Sequence, residues 1–271
     1  MEGMSMQPRE NELVDFPVTR YDSVRDTFIE DHRYTSIECD LDIYLNGQHL
    51  MTSFCSPGDH RDLVTGMLAQ MGQIRTAADI LRLELDEETG AARVWTTDEA
   101  QSWARAAVMD PRYYGVRQLL RCKPEQLVKR PREVRFRAHD ILACADKLLR
   151  ELAATHEKTN GVHSGIIYDQ KQSKILAFRE DIGRHNVFDK LYGWSLRAGV
   201  DITDKIIIYS GRCSSEMMMK LGRMGIAAVA AKSVPTSLSL KLAQKLGITL
   251  VARMAPGSFC IYTNPERIIL D

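Results

Sequence analysis

The chain reads as an α/β protein. A C-terminal domain of three layers, helices on both faces of a largely parallel sheet, follows a smaller N-terminal α+β domain. Three observations predict this. Beyond residue 160, short β-branched runs alternate with amphipathic stretches, the order that places helices on the faces of a sheet. Before residue 100, strand-like runs come in pairs around turn residues, with one helical stretch between the pairs. The texture changes across a basic segment that closes the first half, which sets the domains at 1–135 and 136–271.

Each element has its own signal. Ser36 to Leu45 alternates, Asn46-Gly47 supplies a hairpin turn, and His49 to Cys55 returns. Ser56-Pro57-Gly58-Asp59 breaks the chain and opens a helix whose apolar positions are Leu63, Val64, Met67, Leu68 and Met71. Ile80 to Leu85 and Ala92 to Thr97 form a strand pair around Glu88-Thr89-Gly90. A helix is predicted from about Phe136 to Thr155, then strands at Gly161–Tyr168 and Lys174–Phe178. Helices over 184–197, 214–224 and 237–246 alternate with strands at Lys205–Tyr209, Ile226–Ala231 and Ile248–Ala252. Phe259 to Thr263 is the last strand.

The bulk numbers exclude several classes. With 271 residues, 44% of them apolar and 27% charged, the chain can bury a core of ordinary size. Its 36 basic and 36 acidic residues balance, which argues against a nucleic-acid binder with a broad basic surface. No apolar run approaches the ~18–20 residues of a membrane span. Met1 to Phe16 lacks the apolar core of a secretory signal, so a cytoplasmic location is expected.

Residues 179–190, Arg-Glu-Asp-Ile-Gly-Arg-His-Asn-Val-Phe-Asp-Lys, carry the densest chemistry, on a strand-to-helix turn where α/β proteins place ligands. A purely structural role accounts for Asp181 as a cap and Gly183 as turn relief, but leaves Arg184, His185 and Asn186 without a task. Two further turns follow strands. Ser210-Gly211-Arg212-Cys213-Ser214 opens one helix, with Ser214 or Ser215 as cap. Ser233-Val234-Pro235-Thr236 opens the next, with Thr236 or Ser237 as cap. One such turn is only a capped helix. Three converging on one sheet edge favour a nucleotide-like or pyrophosphate ligand. The His-x-Glu and Pro-Cys-x-x-Cys of a zinc deaminase are replaced by His163-Ser164-Gly165 and Gly211-Arg212-Cys213-Ser214, and no metal site is expected.

Six cysteines stand at 39, 55, 122, 144, 213 and 260, none in C-x-x-C spacing. Cys39, Cys55, Cys144 and Cys260 read as buried core residues. Cys122 lies between Arg121 and Lys123 in segment 110–137, where nine Lys or Arg face three carboxylates for a local charge of +6. The segment reads either as a solvated linker or as an attractor of anions. Basic neighbours in a mobile segment favour a thiolate at Cys122. Cys213 reads as a wall of the ligand turn.

At this point the chain resembles the FdhD family of formate dehydrogenase accessory sulfurtransferases, from about Ile37 to Ile268. The resemblance rests on Ser56-Pro-Gly-Asp59, Arg179 to Asn186 with Asp189-Lys190, Ser210-Gly-Arg-Cys-Ser-Ser-Glu-Met217, Ser233-Val-Pro-Thr236, and Pro256-Gly257 before Tyr262-Thr263. It implies a cytidine deaminase-like C-terminal fold and a homodimer. It also implies sulfur received from a cysteine desulfurase and passed to the molybdenum bis-molybdopterin guanine dinucleotide cofactor of formate dehydrogenase. GDP would mimic that cofactor. Gly183, Arg184, His185, Ser210, Gly211, Arg212, Ser214, Ser233, Pro235 and Thr236, with Arg253-Met254-Ala255-Pro256-Gly257-Ser258, are then its expected binding residues, and Cys122 the persulfide carrier.

The departures are specific. The family's Cys-Gly-x-Cys-Gly pair is replaced by a single cysteine. Aligning Glu125-Gln126-Leu127 sets Cys122 on the second cysteine and Leu119 on the first; a one-gap shift sets Cys122 on the first. The basic residues that the family carries around its C-terminal Pro-Gly reduce here to Arg253. A cofactor-binding chaperone without sulfur transfer is therefore the alternative. A nucleotide-hydrolysing or deaminating enzyme is a third reading, disfavoured by the absent metal ligands.

Overall fold

A computed structural model describes residues 12–107, 109–123, 127, 131 and 133–270. An antiparallel ribbon of β1 (Leu13–Asp22) and β2 (Thr27–Ser36) precedes a four-stranded sheet. That sheet contains β3 (Cys39–Leu45), β4 (Gln48–Cys55), β5 (Ile80–Asp86) and β6 (Ala91–Thr96) in the order β4-β3-β6-β5. Asn46 and Gly47 both take positive φ, 51° and 83°, the turn that matches strand twist in a two-residue hairpin. Helix α1 (His60–Gln70) buries Leu63, Val64 and Leu68 against Leu41, Ile43 and Val94 of this sheet. Helices α2 (Asp98–Ala107) and α3 (Val116–Arg121) follow. The sequence reading had placed neither these helices nor the ribbon.

The second half opens with β7 (Phe136–Arg137) and α4 (Ala138–Lys147), then a π-turn at Leu148–Leu152 and α5 (Ala154–Thr159). The single helix expected to Thr155 is thus broken, and the π-turn keeps both Leu148 and Leu152 buried. Strands β8 (His163–Asp169) and β9 (Lys174–Asp181) lead to α6 (Arg184–Arg197). The chain continues through β10 (Ile206–Tyr209), α7 (Ser215–Met224), β11 (Ala228–Ala231), α8 (Ser237–Leu246), β12 (Thr249–Ala255), β13 (Ser258–Thr263) and β14 (Ile268–Ile269).

The central sheet runs β13-β12-β11-β10-β8-β9. Only β10–β11 and β11–β12 pair in parallel; the other three contacts are antiparallel. The expected largely parallel sheet is therefore a mixed one. The reason is loop length: too few residues separate β8 from β9, and β12 from β13, for a crossover. Both faces are buried. Ile207, Tyr209 and Val229 face α6, α7 and α8, while Ile206, Ile208 and Ala230 face α4.

The two halves meet where α1 crosses α6. A Cβ on Gly66 would lie 1.9 Å from the Asp189 carbonyl oxygen, and one on Gly193 would lie 1.8 Å from that of Asp62. Backbone touches backbone, which only glycine permits. Tyr192 and Leu196 of α6 pack onto the core of the first sheet.

Candidate functional site

The strand ends gather at one edge. β9, β10, β11 and β12 all finish there, and β8 begins there, opposite Asp181 at His163. Main-chain bonds stitch the turns together. Ser210 N donates to Ser164 O (2.9 Å), Lys232 N to Tyr209 O (2.8 Å), and Arg253 N to Ser233 O (3.1 Å). Cys213 and Pro235 form a parallel bridge between the second and third turns. Ser214 caps α7 by accepting from Met217 N, and Thr236 caps α8 by accepting from Ser239 N. Helix α6 starts from Gly183 with no side-chain cap, and neither α6 nor α8 has an acidic residue in its first turn. The first N–H groups of α6, without such a cap, favour an anion.

Arg184, Arg212, Lys232 and Arg253 are all exposed along this edge. No carboxylate of the described residues lies within salt-bridge distance of any of the four. Arg253 sits in a bulge between Ala252 and Ala255 with φ of +55°, which re-aims it relative to a regular strand. Ala255-Pro256-Gly257-Ser258 is an exposed turn, with Gly257 at φ +75°. Burial lowers the His163 pKa below 6.5, and the charges of Arg184, His156 and Arg212 lower it further. His185 is lowered mainly by burial and then by Lys220 and Arg184; its Nε2 stands 3.3 Å from the Glu216 carboxylate.

Not every expected residue faces this edge freely. Met254 packs into the core beneath the opposite face of the sheet. The Ser210 hydroxyl accepts from Ser164 N (2.9 Å) and is taken up in holding the sheet together. Gly183 is required by packing, since a Cβ there would lie 2.7 Å from Asn186 Nδ2. Lys232 and Tyr209 were missed by the sequence reading. Lys232 could have been found as the cation directly before the third turn, and Tyr209 as the aromatic residue ending a strand two positions before a glycine.

Most of the dense motif proves to be an internal lock. Asp181 and Lys190, with side chains 0 and 1% exposed, pair at 2.7 Å. Asp181 also accepts from Ser56 N (3.2 Å), Gly183 N (2.8 Å) and Asn186 Nδ2 (2.9 Å). Asn186 Nδ2 donates to Phe54 O as well (2.8 Å), so this residue has a structural task after all. Ile182 N donates to Ser56 Oγ, Arg179 pairs with Asp62, and Lys220 with the buried Asp189. The Ser56-to-Asp59 turn and the 179–190 motif are therefore two sides of one buried joint. Only Arg184 and His185 remain turned toward other work.

Cys122 departs from the exposed thiol expected of it. It follows α3, is 7% exposed, and its Sγ donates to Gln118 O at 3.4 Å. Arg121 and Lys123 point outward while the thiol turns in, because Leu119 anchors the short helix in the core shared with α7 and α8. The Cys122 carbonyl accepts from Lys245 Nζ in the last turn of α8. That is the opposite end of α8 from Thr236, about 13 Å along the helix axis. The structure does not bring Cys122 to the strand-end edge. Of the other residues in this segment, Glu125, Gln126, Lys129, Arg130 and Arg132 lie outside the described residues.

The remaining cysteines divide. Cys55, Cys144 and Cys213 are buried, and burial pushes each thiol up to about 12. Cys213 lies in the core shared by α6, α7 and α8. Cys39 is only half-buried and Cys260 is exposed, contrary to the core positions assigned to them. β13 is an edge strand, and Cys260 lies on its outer side. No cluster of three or more His, Cys, Asp or Glu side chains that could hold a metal occurs among the described residues.

A family model described as FdhD/NarQ matches residues 36–269. The chain belongs to the FdhD/NarQ family. It is 34% identical to the sulfur carrier protein FdhD of Geobacillus kaustophilus, across 94% of this chain and 96% of that one. It is also 34% identical to the sulfur carrier protein FdhD of Bacillus subtilis, across 93% and 95%. A crystal structure from Desulfotalea psychrophila, described as a formate dehydrogenase accessory protein, superposes with a TM-score of 0.77 at 22% identity, over 95% of this chain and 99% of that one. That likeness is one of fold. No helix among the described residues is long and apolar enough to cross a membrane.

Proposed function

We propose that this protein is a cytoplasmic, homodimeric sulfur carrier that serves formate dehydrogenase. It takes sulfur from a cysteine desulfurase and delivers it to the molybdenum bis-molybdopterin guanine dinucleotide cofactor before insertion. The observation that carries the reading is the edge itself. In a chain of the FdhD/NarQ family, four exposed cations without carboxylate partners among the described residues line a sheet edge into which the N-termini of α6, α7 and α8 open. Such a surface suits the pyrophosphates of a guanine dinucleotide, which Arg212, Lys232 and Arg253 would hold as the client's phosphate ligands. GDP is the natural probe. Residues 136–271 form the cofactor-binding part, with a layout like that of cytidine deaminases.

Cys122 is the carrier in this reading. Its thiolate attacks the sulfane sulfur of the desulfurase persulfide. A new S–S bond forms at Cys122, the donor's S–S bond breaks, and the donor cysteine leaves as a thiolate. The test is incubation with a cysteine desulfurase and cysteine, followed by peptide mass analysis. One added sulfur on the Cys122 peptide, absent in Cys122→Ser together with client maturation, is the expected result. An adduct on another cysteine, or normal maturation by Cys122→Ser, overturns it.

A second reading has its own support. The inward-turned Cys122 thiol and its distance from the edge suit a cofactor-binding chaperone that transfers no sulfur. GDP binding with no sulfur adduct on any cysteine would select it.

A further inference from the structure

Tyr209 ends β10 at the strand-end edge, and its side chain is fully buried. The ring packs, tilted, with its centroid 4.9 Å from that of Phe188 and 6.0 Å from that of the His163 imidazole. Its hydroxyl is buried and has no hydrogen-bond partner among the described residues. Buried hydroxyls are nearly always satisfied, by protein, ordered water or a ligand, and one left alone is a standing cost.

The neighbouring turn is shaped around this hydroxyl. A Cβ on Gly211 would lie 2.3 Å from the Tyr209 oxygen, so the glycine clears the space where the phenol reaches the turn. Burial pushes the Tyr209 pKa up, and the nearby charges of Arg184 and Arg212, both exposed at the starts of α6 and α7, act on it in the opposite direction. The rim of the edge is thus charged and its floor is neutral. A phosphate is met by the rim. An anion placed against the floor, between Phe188 and an imidazole held neutral by burial, would lose its water without gaining a countercharge.

We propose that the Tyr209 hydroxyl is a specificity-determining group of this site, hydrogen-bonding an uncharged heteroatom on the base or sugar of a nucleotide-type ligand whose phosphates rest on the arginine rim. The inference rests on reading this edge as the cofactor site. It assigns to the floor a recognition that the rim cannot supply, since Arg184 and Arg212 can only donate hydrogen bonds whereas the Tyr209 hydroxyl can also accept one.

The test compares wild type with Tyr209→Phe, which keeps the ring and removes only the oxygen. Calorimetric titration with GDP and with inorganic pyrophosphate, and thermal melts without ligand, are the readouts. Loss of one hydrogen bond should weaken GDP about tenfold. Pyrophosphate should bind both proteins within about twofold, because the rim is unchanged. The ligand-free melting temperature should hold or rise, because no internal bond is lost. Gly211→Ala, which displaces the phenol, should weaken GDP in the same selective way. Equal GDP affinity in wild type and Tyr209→Phe overturns the proposal, as does an equal loss for both ligands. A Tyr209→Phe protein that melts lower or fails to fold also overturns it, because the hydroxyl then has a partner inside the protein. If wild type binds neither ligand, the reading of the edge falls first and this inference with it.

Discussion

Replacing Lys190 by methionine tests whether the 179–190 motif is chiefly a buried joint. Methionine keeps the length and apolar stem of lysine and removes the ammonium. Lys190 Nζ lies 2.7 Å from Asp181 Oδ2 and 3.1 Å from Glu180 O, with almost no solvent reaching either charged side chain. Removing one partner of a buried pair costs about 3–5 kcal/mol, because the other charge stays in a medium that solvates it poorly. Asp181 would keep three neutral donors, from Ser56, Gly183 and Asn186, which places the expected loss near 3 kcal/mol. For a chain of this size, at roughly 2 °C per kcal/mol, the melting temperature should fall by about 6 °C. Urea unfolding followed by circular dichroism gives the free energy, and calorimetry the melting point. The double variant Asp181→Asn with Lys190→Met should recover more than half of the loss, since it leaves no unpaired charge. A loss below about 1 kcal/mol, with GDP stabilisation abolished, would refute the reasoning and mean that Lys190 faces the ligand instead.

Three further outcomes follow from the same geometry. Gly193→Ala places a methyl 1.8 Å from the Asp62 carbonyl oxygen, so α1 and α6 must separate. A loss of about 3 kcal/mol or more in urea unfolding is expected, and an unchanged midpoint would show that the helices do not touch there. Arg212→Ala should shrink the GDP-induced rise in melting temperature, which at a hundredfold excess over Kd corresponds to ~2.7 kcal/mol in wild type. Arg137→Ala, far from the edge and paired with Asp140, should leave it alone; equal shifts in the two variants count against the site. His163 has a folded pKa below its ordinary 6.5, so between those values the unfolded chain binds more protons and stability falls as pH drops. Glu180, raised chiefly by burial, works in the opposite direction. His163→Gln should therefore flatten the loss of stability from pH 7 to 5, and a steeper loss would reverse the assignment.

What the sequence disclosed follows the range over which each signal acts. The Asn46-Gly47 hairpin, the helix at 184–197 and the caps at Ser214 and Thr236 are decided within a few residues, and the structure has them where the local pattern puts them. The antiparallel pairings were hidden because alternation was weighed above the short connections around Gln170–Ser173 and Pro256-Gly257. The ribbon of β1 and β2 gave no signal, because its aromatic residues, Phe16, Tyr21, Phe28 and Tyr34, stay exposed and mark no buried face. The structural task of Asn186 was hidden for a different reason. A lock and a ligand cradle draw on the same side chains, Asp, Asn, Lys and Arg, and only the partner distinguishes them. The partner of Asp181 and Asn186 is the Phe54–Ser56 strand end, more than a hundred residues away in sequence.

The separation of Cys122 from the strand-end edge bears directly on how sulfur could move. The thiol lies by one end of α8 and the cations of the edge by the other. The two ends of α8 stand about 13 Å apart along its axis, more than a side-chain rotation spans. Under the carrier role proposed above, transfer would require that α3 leave its seat, or that the edge of a second copy come to the thiol. α3 is held by the buried Leu119, by Val116 and Leu120 packed against the same core, and by one lysine bond to the Cys122 carbonyl. Six residues form too short a helix to persist by itself, so undocking α3 would also unwind it. The thiol would then become accessible and gain reach in a single step, drawn from the low-stability end of the fold where binding segments are commonly found. Under that carrier role, burial of Cys122 in the docked form would shield the thiol between transfers, and the unwinding of α3 would be the event that a sulfur donor has to favour.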